Sequence, residues 1–159
     1  MNTEIEFSIR RATLEDVPSI RSVLYAVRRE YGVLWEIGAN DPELDDLASN
    51  YFRRGGHFEV IENMAQRIVG CAGLYPSTSR RAELGKMYLE FSARGRGLGR
   101  RLLENMLAAA RQNGFAEVWL ETSSSLIGAI TLYRQFGFEP DVSAALTHHC
   151  DAAYLLRLE

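Results

Sequence analysis

Apolar and polar side chains alternate along Phe7-Ser8-Ile9-Arg10-Arg11-Ala12, the pattern of a strand with one buried face. Val17, Ile20, Leu24 and Val27 then recur at helical spacing, behind Thr13 as N-cap with Asp16 three residues on as a weak capping box. Pro18 falls early enough in that helix to be tolerated. The period breaks over Tyr31 to Asn40, where Gly32 and Gly38 interrupt Tyr31, Leu34, Trp35 and Ile37 and predict an apolar loop with aromatic content. Asp41-Pro42-Glu43 reads as an N-cap followed by proline at the first helical position. Leu44, Leu47, Ala48, Tyr51 and Phe52 carry that second helix to Gly55-Gly56.

Two apolar runs, Phe58 to Ile61 and Ile68 to Leu74, flank a turn at Asn63 to Gln66 and predict a hairpin. After a polar loop from Pro76 to Arg81, the residues Leu84, Met87, Tyr88, Leu89 and Phe91 mark a further strand. It runs at once into Arg94-Gly95-Arg96-Gly97-Leu98-Gly99-Arg100-Arg101. A helix follows, with Leu98, Leu102, Met106, Ala109 and Ala110 on one face and Asn113-Gly114 closing it. Val118-Trp119-Leu120 reads as a buried strand, parallel to the preceding one because a helix crosses between them. Ser123-Ser124-Ser125 offers an N-cap for a last helix carrying Ile130, Tyr133 and Phe136 and ended by Gly137. A short strand near Phe138 and a clearer one from Ala153 to Leu158 complete the chain.

Composition narrows the class. A length of 159 residues suits one domain spanning 1–159, and 47% apolar with 25% charged residues are ordinary globular values. A net charge of −3 argues against general nucleic-acid binding, and no apolar run reaches the roughly 18 residues of a membrane span. The first residues lack the basic and apolar regions of a signal peptide, so a cytoplasmic location is the expectation. Cys71 and Cys150 are too few for a disulfide framework and are expected as free thiols.

The positive charge around the glycine-rich turn is therefore local. Glycines at 95, 97 and 99 let consecutive N–H groups face one concavity at the positive end of a helix, which suits a pyrophosphate. No Gly-Lys-Ser/Thr triplet exists, so the turn is not a P-loop. A dinucleotide fingerprint would need glycine where Arg100 stands, although Glu117 and Glu121 lie about twenty residues on, where such folds place the ribose-binding acid.

The pattern met without exception is Arg/Gln-x-x-Gly-x-Gly/Ala, at Arg94, Gly97 and Gly99, and it resembles the acetyl-CoA loop of the GNAT superfamily of N-acetyltransferases. Ala129-Ile130-Thr131-Leu132-Tyr133-Arg134-Gln135-Phe136-Gly137-Phe138 is similar to that family's later Ala-x-x-Leu-Tyr-x-x-x-Gly-Phe segment. The resemblance covers nearly the whole chain. It implies an α/β (α+β) fold with a mixed central sheet of about six to seven strands and about four helices, in the order β-α-α-β-β-β-α-β-α-β-β. It also implies transfer of an acetyl group from acetyl-CoA to a primary amine by direct attack in a ternary complex. No metal, nucleic acid or membrane would take part, and a homodimer is compatible with it. Because fold alone does not secure activity, a non-enzymatic acyl-CoA-binding or regulatory module is the other reading.

By the same resemblance the pantetheine arm would lie along Met87, Tyr88 and Leu89, and the phosphates on Arg94, Gly95, Arg96, Gly97, Leu98, Gly99 and Arg100. Gly85, inside the strand, is consistent with a bulge that opens the cleft. Tyr133 stands where the family's general acid stands, and a phenol of pKa about 10 can protonate a departing thiolate. Glu83 matches the catalytic carboxylate of those members that have one, with Glu121 as the competing acid; by strand parity Glu83 should share a face with Met87 and Leu89. The family's asparagine seven residues before the tyrosine is Leu126 here, so its contact is missing or supplied by Ser123, Ser124 or Ser125. His148-His149-Cys150-Asp151 looks metal-like, but neighbours in an extended segment point apart. Tyr31, Trp35 and Glu36 are expected to line the acceptor side, where Glu36, Asp41, Glu43, Asp45 and Asp46 would favour a cationic amine.

Overall fold

A computed structural model describes residues 6–32, 41–147 and 150–158. The elements are β1 (Phe7–Arg11), α1 (Val17–Glu30), α2 (Leu47–Asn50), β2 (His57–Asn63), β3 (Ile68–Pro76), β4 (Arg81–Leu89), α3 (Leu98–Gln112), β5 (Glu117–Thr122), α4 (Ile127–Gln135), β6 (Glu139–Pro140) and β7 (Ala152–Arg157). This is the expected order, and the strands form one seven-stranded sheet, β1-β2-β3-β4-β5-β7-β6. Every pairing is antiparallel except β4 with β5, as the crossover helix requires.

Helices cover both faces. One core joins α1 and the 44–51 stretch to Phe58, Val60 and Cys71; the other joins α3 and α4 to Ile61, Val69, Ala72, Leu74, Val118 and Leu120. Burial on both faces is why β2 and β3 read as continuous apolar runs instead of clean alternations. Helix α3 buries Leu98, Leu102, Leu103, Met106 and Leu107, each worth about 1.5–3 kcal/mol relative to exposure. That packing holds the glycine-rich turn against the end of β4. Among the described residues no helix is long and apolar enough to cross a membrane, and Cys71 and Cys150 form no disulfide.

The structure corrects two expected caps. Asp41 has left-handed backbone angles (φ 38°, ψ 62°) and caps nothing; its carboxylate is held by Arg28. The second helix is consequently broken into a 3-10 segment at Pro42–Asp46, the single turn α2, and another 3-10 segment at Phe52–Arg54. Asp46 caps α2 instead, its carboxylate accepting the Ser49 N–H at 3.0 Å. Helix α4 starts at Ile127 behind Leu126, with no serine side chain capping it. Ser123 and Ser125 bond each other at 2.7 Å, and Ser124 donates its backbone N–H to Asp151 at 2.6 Å.

The third correction matters most for function. The β3–β4 register jumps from Cys71↔Tyr88 to Gly73↔Gly85, so Lys86 and Met87 together oppose Ala72. A bulge is present as expected, but its left-handed residue is Lys86 (φ 52°), not Gly85. The inserted residue inverts the parity of everything after it. Ala82 and Leu84 pack in the same core as Met87 and Leu89, whereas Glu83 pairs with Tyr75 on the opposite face, the face of Cys71 and Tyr88. Glu83 therefore does not share a face with Met87 and Leu89.

Candidate active site

Parallel pairing of β4 with β5 stops at Glu83↔Trp119. Beyond it the two strands part, leaving the β5-facing edge of β4 from Gly85 to Leu89 without a ladder partner. Two cavities of about 300 Å³ each occupy the parting. Both are walled by Tyr31, Met87, Tyr88, Leu126 and Ala129, so they form one continuous cleft.

The nucleotide end is lined by Leu89, Arg94, Gly95, Gly97, Leu98 and Gly99 together with Gly128 and Leu132 of α4. Gly95 (φ 72°) and Gly97 (φ 78°) take left-handed angles, and a Cβ at either would meet nothing within 4 Å. They are glycines for the backbone conformation that turns the chain into α3. The arginines are already engaged. Arg94 donates through Nη1 and Nη2 to Glu30 at 2.6 and 2.7 Å and through Nε to the Leu89 carbonyl at 2.9 Å. Arg96 holds Glu6 at 2.5 Å, and Arg100 holds Gln135 at 2.7 Å. Only Arg94 of these three lines the cleft. The hydrogen bond from Arg94 lowers the Glu30 pKa, but the pair is partly exposed, so it is worth at most about 1 kcal/mol and a phosphate can replace Glu30.

The other end brings together Glu83, Glu121, Tyr133 and Tyr31 with Lys86, Arg28, Asp41 and Glu43. Tyr133 is 6% exposed and packs against Phe138 with ring centroids 5.8 Å apart. Burial pushes its pKa above the ordinary phenol value, so the hydroxyl stays protonated through the neutral range. Glu83 is half-buried, and its pKa is raised by burial and then by the nearby Glu121 charge. Glu121 accepts the Thr147 N–H and hydroxyl at 3.2 and 3.1 Å. Glu117, the other acid of the dinucleotide comparison, is held by Arg81 at 2.6 Å.

Several residues enter the cleft without a sequence signal. Lys86 lies against Glu43 and 3.1 Å from Asp41, and Arg28 grips Asp41 at 2.8 and 3.1 Å. Burial alone would lower the Lys86 pKa, but Glu43 and Asp41 outweigh it and raise it. The buried Cys71 thiol donates to the Lys86 carbonyl at 3.1 Å, and burial pushes its pKa up to about 12. The acids expected to attract an amine are mostly paired: Asp41 and Glu43 as above, Asp45 with Arg21, Asp46 with the Ser49 N–H. Leu126 lines both halves of the cleft, whereas of the three serines only Ser123 lines it. Trp35, Glu36, His148 and His149 lie outside the described residues. Among the described residues no group of three His, Cys, Asp or Glu side chains is placed to hold a metal.

A mixed sheet parted beside a bulged strand, with a glycine-rich turn leading into a helix at the mouth of the gap, defines the acetyltransferase class resembled above. The sequence profile of the Acetyltransferase (GNAT) family matches residues 21–138, so the chain belongs to that family and is an N-acetyltransferase. It is 38% identical over 149 residues to the uncharacterised N-acetyltransferase YjgM of Escherichia coli (strain K12), covering 90% of this chain and 89% of that one. In structure it resembles an acetyltransferase of the GNAT family from Staphylococcus aureus Mu50 with a TM-score of 0.85, at 20% identity and covering 96% and 99% of the two chains. It also resembles yncA of Salmonella typhimurium, solved with its cofactor acetyl-CoA, with a TM-score of 0.70, 20% identity and coverage of 97% and 95%.

Proposed function

We propose that the protein transfers the acetyl group of acetyl-CoA to a primary amine by direct attack in a ternary complex. The observation that carries the reading is the parting of β4 from β5 just past Glu83, which leaves an unpaired strand edge facing a cleft. An unpaired edge recruits an extended amide-bearing chain as an added strand, and the pantetheine arm of acetyl-CoA is such a chain. Met87, Tyr88 and Leu89 supply that edge, and one of their N–H groups faces the thioester oxygen as charge develops there. The pyrophosphate takes the turn at Gly95 to Gly99, with Arg94 turning from Glu30 to phosphate. The bound acetyl-CoA of the Salmonella relative supports the choice of donor.

In the reaction the amine nitrogen attacks the thioester carbon; a C–N bond forms and the C–S bond breaks. Glu83 takes the proton leaving the amine, directly or through one water, and its raised pKa makes it a better base than an ordinary carboxylate. Tyr133 gives its proton to the departing thiolate. Tyr31 borders the acceptor side, continuous with the segment that holds Trp35 and Glu36. The test is calorimetry with acetyl-CoA followed by release of free thiol across a panel of primary amines. Binding is expected together with amine-dependent release of thiol. Binding without release from any amine would instead support an acyl-CoA-binding module.

A further inference from the structure

Among the described residues the acceptor end of the cleft contains two buried cations, and both are already neutralised. Arg28 is 5% exposed and makes a two-point contact with Asp41, while the Lys86 ammonium lies between Asp41 and Glu43. These four charges cancel. What remains among the described lining residues of that cavity is Glu83 and Glu121: Glu121 accepts from the Thr147 N–H and hydroxyl, and Glu83 has the Glu121 and Glu43 charges against it with only Lys86, already shared by two acids, in its favour. With four acids against two cations, the described lining residues set up a negative field for an acceptor. A carboxylate placed here would face Asp41, Glu43, Glu83 and Glu121 with no uncompensated cation among the described lining residues, and evicting Asp41 would strand two buried positive charges.

Beside Glu83 the cleft continues into a second cavity of about 490 Å³, walled by Pro42, Asn50, Tyr51 and Tyr75 and entered past Glu43 and Lys86. Tyr51 and Tyr75 meet edge to face, with centroids 5.5 Å apart. The two rings offer a surface to an apolar or aromatic body, while Glu43, Glu83 and Lys86 line the side toward the cleft.

We propose that the acceptor is a primary amine with no acidic group beside its nitrogen, its body seated in the tyrosine-walled cavity, and that Glu43 sets this preference by masking Lys86. The proposal rests on the reading that this cleft acetylates an amine. It goes further in excluding free α-amino acids as good acceptors and in naming a residue responsible. Glu43 is suited to the role because it is the more exposed of the two acids on Lys86, with 27% of its side chain accessible against 12% for Asp41. Its removal unmasks the ammonium without stranding Arg28.

The experiment compares phenethylamine with phenylalanine and phenylalaninamide, and tryptamine with tryptophan and tryptophanamide, by thiol release at saturating acetyl-CoA. The amide keeps the size of the amino acid and removes its negative charge. Expected is a kcat/KM at least about tenfold higher for the amine and the amide than for the amino acid, a ratio within reach of a few neighbouring charges at an intermediate dielectric. Glu43→Gln should narrow that ratio several-fold while calorimetry shows acetyl-CoA binding unchanged. Equal or better use of the amino acids overturns the proposal, as does thiol release from none of the six compounds. A ratio that Glu43→Gln leaves unchanged overturns the masking role. Loss of acetyl-CoA binding in the unaltered protein would strike at the acetyltransferase reading itself, a separate outcome.

Discussion

Substituting Glu83 by Gln separates catalysis from stability, because the two should move in different directions. Glu83 is half-buried at the point where β4 leaves β5, and burial followed by the Glu121 charge raises its pKa. A carboxyl whose folded pKa lies above its unfolded value of about 4.3 stabilises the fold fully only below that value, and the contribution is lost as pH rises through the folded pKa. At neutral pH an ionised Glu83 is thus a burden on the fold. Glu83→Gln keeps the shape and removes the burden, so the melting temperature at pH 7 should hold or rise. Activity should fall by the worth of a positioned general base, about 10²- to 10⁴-fold, which is about 3–5 kcal/mol of barrier. In the unaltered enzyme the rate should rise with pH through an apparent pKa above that of a free glutamate and then flatten. That profile should stay nearly fixed when the acceptor is exchanged for an amine of lower pKa. The assay is thiol release from pH 4.5 to 9 with two such amines, alongside thermal melts. A Glu83→Gln enzyme with full activity and an unchanged profile would refute the assignment, and a profile that tracks the amine would show that the acceptor arrives already neutral. Glu121 would then be the next residue to substitute.

Tyr133→Phe should lower kcat about 10²-fold or more with acetyl-CoA affinity retained, and because burial raises the phenol pKa the unaltered enzyme should show no loss of rate from Tyr133 ionisation below about pH 10; equal turnover by both proteins would remove the acid role. Gly97→Val must force a β-branched residue to φ 78°, at about 1–3 kcal/mol, and sets its side chain in the open turn, so calorimetry should show acetyl-CoA binding lost. Gly114→Val carries comparable strain at φ 80° away from the cleft and should still bind; matching losses in both would mean that the turn is not the phosphate site. Although burial pushes the Asp41 pKa upward, Arg28 and Lys86 hold it below the ordinary range, so its contribution to stability is present above the unfolded pKa and is lost as pH falls through the folded one. Asp41→Asn should therefore cost about 3–5 kcal/mol in urea unfolding at pH 7, with the gap to the unaltered protein closing below about pH 4.

Local patterns carried most of the fold and part of the site. Alternation in β1, helical spacing in α1 and α3, and the glycines after Gln112 and Gln135 are set by backbone geometry within a few residues, so element order was legible. The turn from Arg94 to Gly99 was legible from its contiguous glycines, and the segment from Ala129 to Phe138 through its resemblance to the family motif; Arg94, Gly95, Gly97, Leu98 and Gly99 of the first and Ala129 and Leu132 of the second line the cleft. Strand parity misled at Glu83 because one residue inserted at Lys86 inverts every side chain after it, and Gly85, the residue that marked the bulge, is not the one that takes the left-handed angle. The N-cap expected at Asp41 failed because Arg28, 13 residues away in the chain and brought beside it by the fold, takes both carboxylate oxygens at 2.8 and 3.1 Å. By itself, then, the sequence determined the strands, the helices α1, α3 and α4 and the glycine-rich turn, which depend on near neighbours. Only the tertiary structure decided where β4 parts from β5, which face Glu83 occupies, and that Asp41 and Glu43 neutralise Arg28 and Lys86, because those outcomes depend on residues far apart in the chain meeting at one buried place.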